Sequence, residues 1–181
     1  MSLRDHSIQM ARNNAWSNLR LYRACRILDQ AALTATRTSF FPTILSTLQH
    51  IWIVDEFYVD GLEAAGRGAS IWADEQRHVE IESLWRAQRA VDRRLLGYCE
   101  RQRTDGDLAA EVTLQRPRGP QVDLARDILA HLFVHQIHHR GQVHAMLSGT
   151  SVPPPQLDEW FLARERPIAE RELAAGWAEE R

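Results

Sequence analysis

Four of the eight histidines fall within His131–His139, in a stretch that otherwise reads as helix. His135 and His139 are four apart, so on a helix they sit one turn above each other, with Cβ atoms about 5–6 Å apart. Two imidazoles at that separation can converge on one metal ion, whose bonds to nitrogen would be about 2.0–2.1 Å. The apolar stripe decides which histidines matter. Ile128, Leu132, His135, His139 and Val143 follow one another at steps of four, three, four and four. His135 and His139 thus stand where leucine or isoleucine is expected, and imidazoles facing a core are costly unless their nitrogens are satisfied. His131, His138 and His144 fall off that line.

A third nitrogen is available from His50. Ile53, Val54 and Phe57 follow it at +3, +4 and +7, so it shares an apolar helix face. His50, His135 and His139 would make a three-histidine set from two helices. Such a set suits zinc, nickel, iron or copper better than calcium or magnesium. Three protein ligands leave a position open for water or substrate, as catalytic sites do. His6 and His78 lie among polar residues and read as surface positions.

The rest of the composition narrows the chemistry. The chain has no lysine, and all 22 basic residues are arginine, which excludes Schiff-base and P-loop chemistry. Cys25 and Cys99 lie far apart among apolar neighbours and read as small buried hydrophobes. The net charge of −2 argues against nucleic acid as a partner. No apolar run approaches the roughly 20 residues that span a membrane. The polar start at Arg4–His6 does not read as a signal peptide, so a cytoplasmic location is expected.

Helical periodicity marks the elements that must hold these residues. One helix is expected over about His6–Leu33, followed by a break at Thr38–Pro42. A second is expected over about Pro42–Val59, with Pro42 opening it. After a loop at Gly66–Ser70, a third runs over about Asp74–Tyr98. Between Glu100 and Val122 the pattern changes, and Val112 and Leu114 alternate with polar residues before Arg116–Pro120. This predicts a short, exposed β-hairpin. The fourth long helix is expected from Asp123, as its cap, to about Ser148. A short fifth, over about Leu157–Arg164, would lay Leu157, Trp160, Phe161 and Leu162 back on the core. The expectation is an all-α four-helix bundle, with the hairpin in the crossover between the third and fourth helices and a short C-terminal helix. Residues 1–166 would form this domain and 167–181 a tail that is helical in propensity but highly charged.

Three pieces of the sequence resemble the DinB-like (DinB/YfiT) family of metal-binding four-helix bundles. Asn14-Ala15-Trp16-Ser17-Asn18 looks like its first-helix Asn-x-Trp-x-Asn signature, and Leu48-Gln49-His50 like its second-helix histidine. His135-Gln136-Ile137-His138-His139-Arg140-Gly141-Gln142 is similar to its His-x-x-x-His-Arg-Gly-Gln motif, and the likeness covers about residues 8–165. The resemblance implies an up-down-down-up bundle, a homodimer, and a divalent metal, commonly nickel or zinc, on His50, His135 and His139. It also implies a thiol-dependent transferase using a low-molecular-weight thiol as co-substrate. A stress-induced metal-binding protein without turnover and a metal-dependent hydrolase are the alternatives. Asp55, Glu56 and His138 are the candidate general bases. Arg140 is expected to pair with an acid on a neighbouring helix. Gln142 either holds a ligand histidine or solvates a helix face.

Overall fold

Ser2 starts the first helix. Its side chain accepts from the Asp5 amide, and Asp5 lies in the first turn, where the helix dipole favours an acid. In this computed structural model, which describes residues 1–178, helix α1 spans Leu3–Cys25. It does not run on to Leu33 as expected. Tight bonds from the Ile27 and Leu28 amides close its last turn, and Asp29 then caps a separate helix α2, Gln30–Thr34. The Asp29 carboxylate takes the Ala32 amide at 2.7 Å, and this local bond restarts the helix although the apolar spacing continues.

Helix α3, Ile44–Leu62, opens two residues after Pro42 with a capping box: the Thr43 side chain takes the Ser46 amide and Ser46 returns to the Thr43 amide. It extends past Asp60 and Gly61. It is buried along most of its length, because α4, α5, the hairpin and a 3₁₀ turn at Gly68–Asp74 all pack on it. Helix α4, Ile81–Arg101, begins later than Asp74. The preceding residues 75–80 offer only Val79, which is exposed, so they have no stripe to bury.

The hairpin pairs β1, Glu111–Arg116, with β2, Gly119–Leu124, in antiparallel register from Glu111↔Leu124 to Arg116↔Gly119. Its outer face is exposed as expected. Its inner face is not, since Val112 and Leu114 are buried and β1 packs on α3. Gly61 permits this approach: a Cβ there would lie 2.3 Å from Leu114 Cδ2. Strand β2 feeds directly into helix α5, Ala125–Leu147. Asp123 is therefore a ladder residue opposite Val112, not the cap, and Leu124 holds the cap position with no side-chain bond.

No helix forms at Leu157–Arg164; the segment is a series of turns. Trp160 alone is fully buried, at 5.8 Å from the Trp16 ring, with its Nε1 donating to Gln9. Leu162 stays exposed. The helix forms further on, as α6, Arg166–Ala178, in the segment expected to be a charged tail. Ala169 and Leu173 seal it over the Trp16–Trp160 cluster, and Glu172 accepts from Trp16 Nε1 and Arg20 Nε, both at 2.8 Å. Each charged residue of α6 could be read as solvated in the sequence, yet Glu172 has a specific partner on α1. The four long helices close a ring of contacts in which α1 touches α4 and α5, and α3 touches the same two. No helix among the described residues is long and apolar enough to cross a membrane.

Candidate metal centre

Helix α3 carries His50 and helix α5 carries His135 and His139, and the packing of α3 on α5 brings the three rings together. Three candidate ligand atoms, one from each ring, lie within 4.8 Å of one another. The ring centroids are 5.1 Å apart for His50 and His135, 4.7 Å for His50 and His139, and 4.3 Å for His135 and His139.

Neighbouring side chains orient the rings. Glu75 Oε1 lies 3.5 Å from His50 Nδ1, and Gln142 Oε1 lies 2.8 Å from His139 Nδ1. An acceptor on Nδ1 holds the proton there and leaves Nε2 with its lone pair toward the cluster. Phe41 stacks on His50 at 4.2 Å and tilts toward His139 at 5.6 Å, forming an apolar wall. Burial lowers the pKa of all three imidazoles below the ordinary histidine value, and the neighbouring histidines push His135 down to about 3. At neutral pH the rings are therefore neutral, the state in which imidazole binds a metal.

The donor set fits a divalent ion. The Nε2 atoms of His50 and His135 are 3.1 Å apart. Two nitrogens about 2.0–2.1 Å from a shared ion, at tetrahedral or octahedral angles, would be separated by about 2.8–3.4 Å. His135 Nδ1 is buried with no partner, so this ring, unlike those of His50 and His139, is not braced from behind.

A model of the DinB family matches residues 1–172. The chain belongs to the DinB family. Among curated proteins none matches it significantly. The matched span of this DinB chain contains the three-histidine cluster and all the helices that position it.

The same span contains a buried polar network next to the cluster. Arg140, which follows His139, is buried and donates through Nη1 to Asn14, to Asn18 Oδ1 at 3.2 Å and to Gln136 Oε1 at 3.1 Å. The expected direct ion pair is not what holds it. The amide nitrogens of Asn14 and Asn18 turn to Asp92 Oδ1, at 3.2 and 3.0 Å, so two asparagines bridge the guanidinium and the carboxylate. Gln88 donates to Asp55 at 2.8 Å and to Asp92 at 3.2 Å. Burial raises Asp55 to about 8 and Asp92 to about 6, and lowers Arg140 to about 10. Near pH 7 the network holds one guanidinium and one carboxylate, Asp92, with Asp55 protonated. Asn14 and Asn18 lie on one face of α1 while Trp16 points away to Trp160, so the first-helix signature faces two cores at once.

This disposes of two candidate bases. Asp55 is sealed inside the network, and Glu56 is held by Arg67 at 2.7 Å and by Arg94 at 2.8 Å. His138 alone lies by the cluster, exposed, with its ring 4.8 Å from that of His139 and its Nε2 3.1 Å from the Gln142 amide nitrogen. Gln142 thus takes the first of its two expected roles. His78 is half-buried, edge-on to Trp52 at 4.6 Å, and not a plain surface residue. Cys25 and Cys99 are buried free thiols, both pushed up to about 12 by burial. Sequence reasoning missed Phe41 and Glu75; neither carries a local signal, because each reaches the cluster from a non-helical segment.

Proposed function

We propose that this DinB-family protein is an up-down-down-up four-helix bundle that binds one divalent metal, zinc or nickel, through His50, His135 and His139. The observation that supports this most is the 3.1 Å approach of the His50 and His135 Nε2 atoms beside His139. All three donors are neutral nitrogen, the class that favours zinc and nickel over calcium and magnesium. When bound, such an ion lowers the pKa of a water or thiol at its open position and so supplies a nucleophile near neutral pH. We take the reaction to be thiol-dependent group transfer. The protein's own cysteines are buried with their thiols held protonated, so the thiol comes from a small molecule. Phe41 keeps water from one side of the rings, and Glu75 and Gln142 hold two of them in place. The same reading takes the protein to be a cytoplasmic homodimer, in a compartment where small thiols stay reduced.

One observation favours a second reading. Glu75 and Gln142 brace His50 and His139 from behind, at Nδ1, an arrangement that would equally hold a structural metal without turnover. Elemental analysis of protein purified without chelator, followed by an assay of thiol conjugation to an electrophile, separates the readings. Transfer reads as a thiol-dependent rate lost in a folded His135→Ala variant. Full metal occupancy with no rate supports the structural metal, and turnover without added thiol supports hydrolysis.

A further inference from the structure

His131 lies one turn before His135 on α5, its ring 6.2 Å away and 29° from parallel. His131 also lines a cavity of about 190 Å³ with Tyr58, Arg116, Asp123 and Asp127. That volume is below the roughly 300–1,000 Å³ that encloses a drug-sized ligand, and suits the head of a molecule rather than the whole of it.

The charges of this cavity are arranged in an uncommon way for this chain. Arg20, Arg67 and Arg94 are each held by carboxylates. Arg116 is not. Its Nη2 donates to the Tyr58 hydroxyl at 3.1 Å and its guanidinium lies 5.2 Å over the Phe57 ring. Its Nε is buried with no acceptor, and no carboxylate among the described residues pairs with it. The carboxylates of the cavity lie elsewhere on its wall. Asp123 takes the Gln121 amide at 2.6 Å, and Asp127, largely exposed in the first turn of α5, lies 3.8 Å from Arg126 Nε in a loose surface pair. A simple anion would satisfy Arg116 but meet two acids, and a simple cation the reverse. A group carrying both charges satisfies both walls.

We propose that this cavity binds the ammonium and carboxylate of an α-amino-acid head, with Arg116 on the carboxylate and Asp123 and Asp127 on the ammonium. The reacting end of the same molecule then extends past His131 to the histidine cluster. Only this second part rests on the metal-centre reading. Arg116 is a specificity residue here, supplied by the hairpin, and the hairpin thereby becomes part of the substrate site.

The test uses three thioethers that cannot act as thiols: S-methyl-L-cysteine, 2-(methylthio)ethylamine, which lacks the carboxylate, and 3-(methylthio)propionate, which lacks the ammonium. Calorimetric titration of the wild-type protein is expected to show S-methyl-L-cysteine bound about tenfold or more tighter than either analogue, the worth of one charge-assisted hydrogen bond. Arg116→Gln should erase the preference over the amine, and Asp123→Asn with Asp127→Asn the preference over the acid, with metal content unchanged. Equal affinities for the three probes, no binding of any, or an Arg116→Gln variant that still discriminates would each overturn the proposal. γ-L-Glutamyl-L-cysteine, whose thiol lies several bonds beyond its α-amino-acid head, gives the independent arm against its S-methyl derivative. If the metal reading holds, the free thiol binds tighter than the thioether and His135→Ala removes that margin. If it fails, the margin is absent while the head-group preference persists.

Discussion

His50 Nε2 and His135 Nε2 lie 3.1 Å apart across 85 residues of chain. Without an ion, two neutral rings can meet at that distance only if one nitrogen donates to the other. A shared cation satisfies both, and His139 as well. Packing of α3 on α5 creates this relationship, and the first prediction concerns its members.

Alanine at His50, His135 or His139 should each remove metal binding more severely than alanine at Gln142. The glutamine holds a ring from outside, and loss of such a partner typically costs about 10–100-fold in affinity. Competition titration with a chromophoric chelator gives the ranking. A Gln142→Ala defect equal to that of His139→Ala would contradict it.

Proton competition should begin unusually late. Ordinary histidines protonate near pH 6.5, but burial holds all three of these lower, and His135 near 3. Metal should thus be retained well below pH 6.5. In the metal-free protein, the unfolded chain takes up protons below about pH 6.5 that the folded cluster refuses. Stability therefore falls as pH drops through that value, and His135→Gln should flatten the fall. Unfolding midpoints between pH 7.5 and 5 in chelator check the slope.

Asp55 and Asp92 should behave as opposites despite sharing Gln88. Asp92 balances the buried Arg140 through Asn14 and Asn18, so Asp92→Asn strands a charge and should cost about 3–5 kcal/mol. Asp55→Asn replaces a carboxyl that is already neutral at pH 7 and should cost on the order of 1 kcal/mol. The fold keeps the Asp55 proton up to about pH 8, whereas the unfolded chain releases it near about 3.9. Its stabilisation is complete below the lower value and lost as pH rises toward the higher. Asp55→Asn should accordingly gain on wild type between pH 4 and 8. Denaturant midpoints across that range read both effects.

Gly176→Ala tests the docking of α6. A Cβ at that position would lie 2.4 and 2.8 Å from the Leu19 methyl carbons and 3.2 Å from its Cγ. Overpacking of this kind costs about 1–3 kcal/mol, or roughly 2–4 °C in melting temperature per kcal/mol at this size. An unchanged melting temperature would mean that α6 contributes little to the fold.

Much of the helical order was legible in the residues. The stripe from Ile128 to Val143 marked α5 and the inward turn of His135 and His139, because a 3.6-residue period is a local property. Local chemistry also misled. Continuous spacing across Arg26–Leu33 hid the break that Asp29 imposes, and Asp123 looked like a cap while serving in a strand. Leu157–Arg164 has apolar residues at helical spacing, yet only Trp160 found a cavity, and the chain around it stayed in turns. Arg140 was expected against an acid; two asparagine amides came between, a choice that spacing cannot express.

By itself the sequence determined where the central parts of the four long helices lie, which face of α5 carries imidazoles, and that the chemistry rests on histidine without lysine. Those properties depend on neighbours within a turn or two. Tertiary structure alone decided that His50 meets His135, that Phe41 and Glu75 flank His50, that α6 docks on Trp16, and that Arg116 faces a cavity with a phenol and no carboxylate as its partner. Such meetings join segments tens of residues apart, and they depend on how the whole core closes, which no local period records.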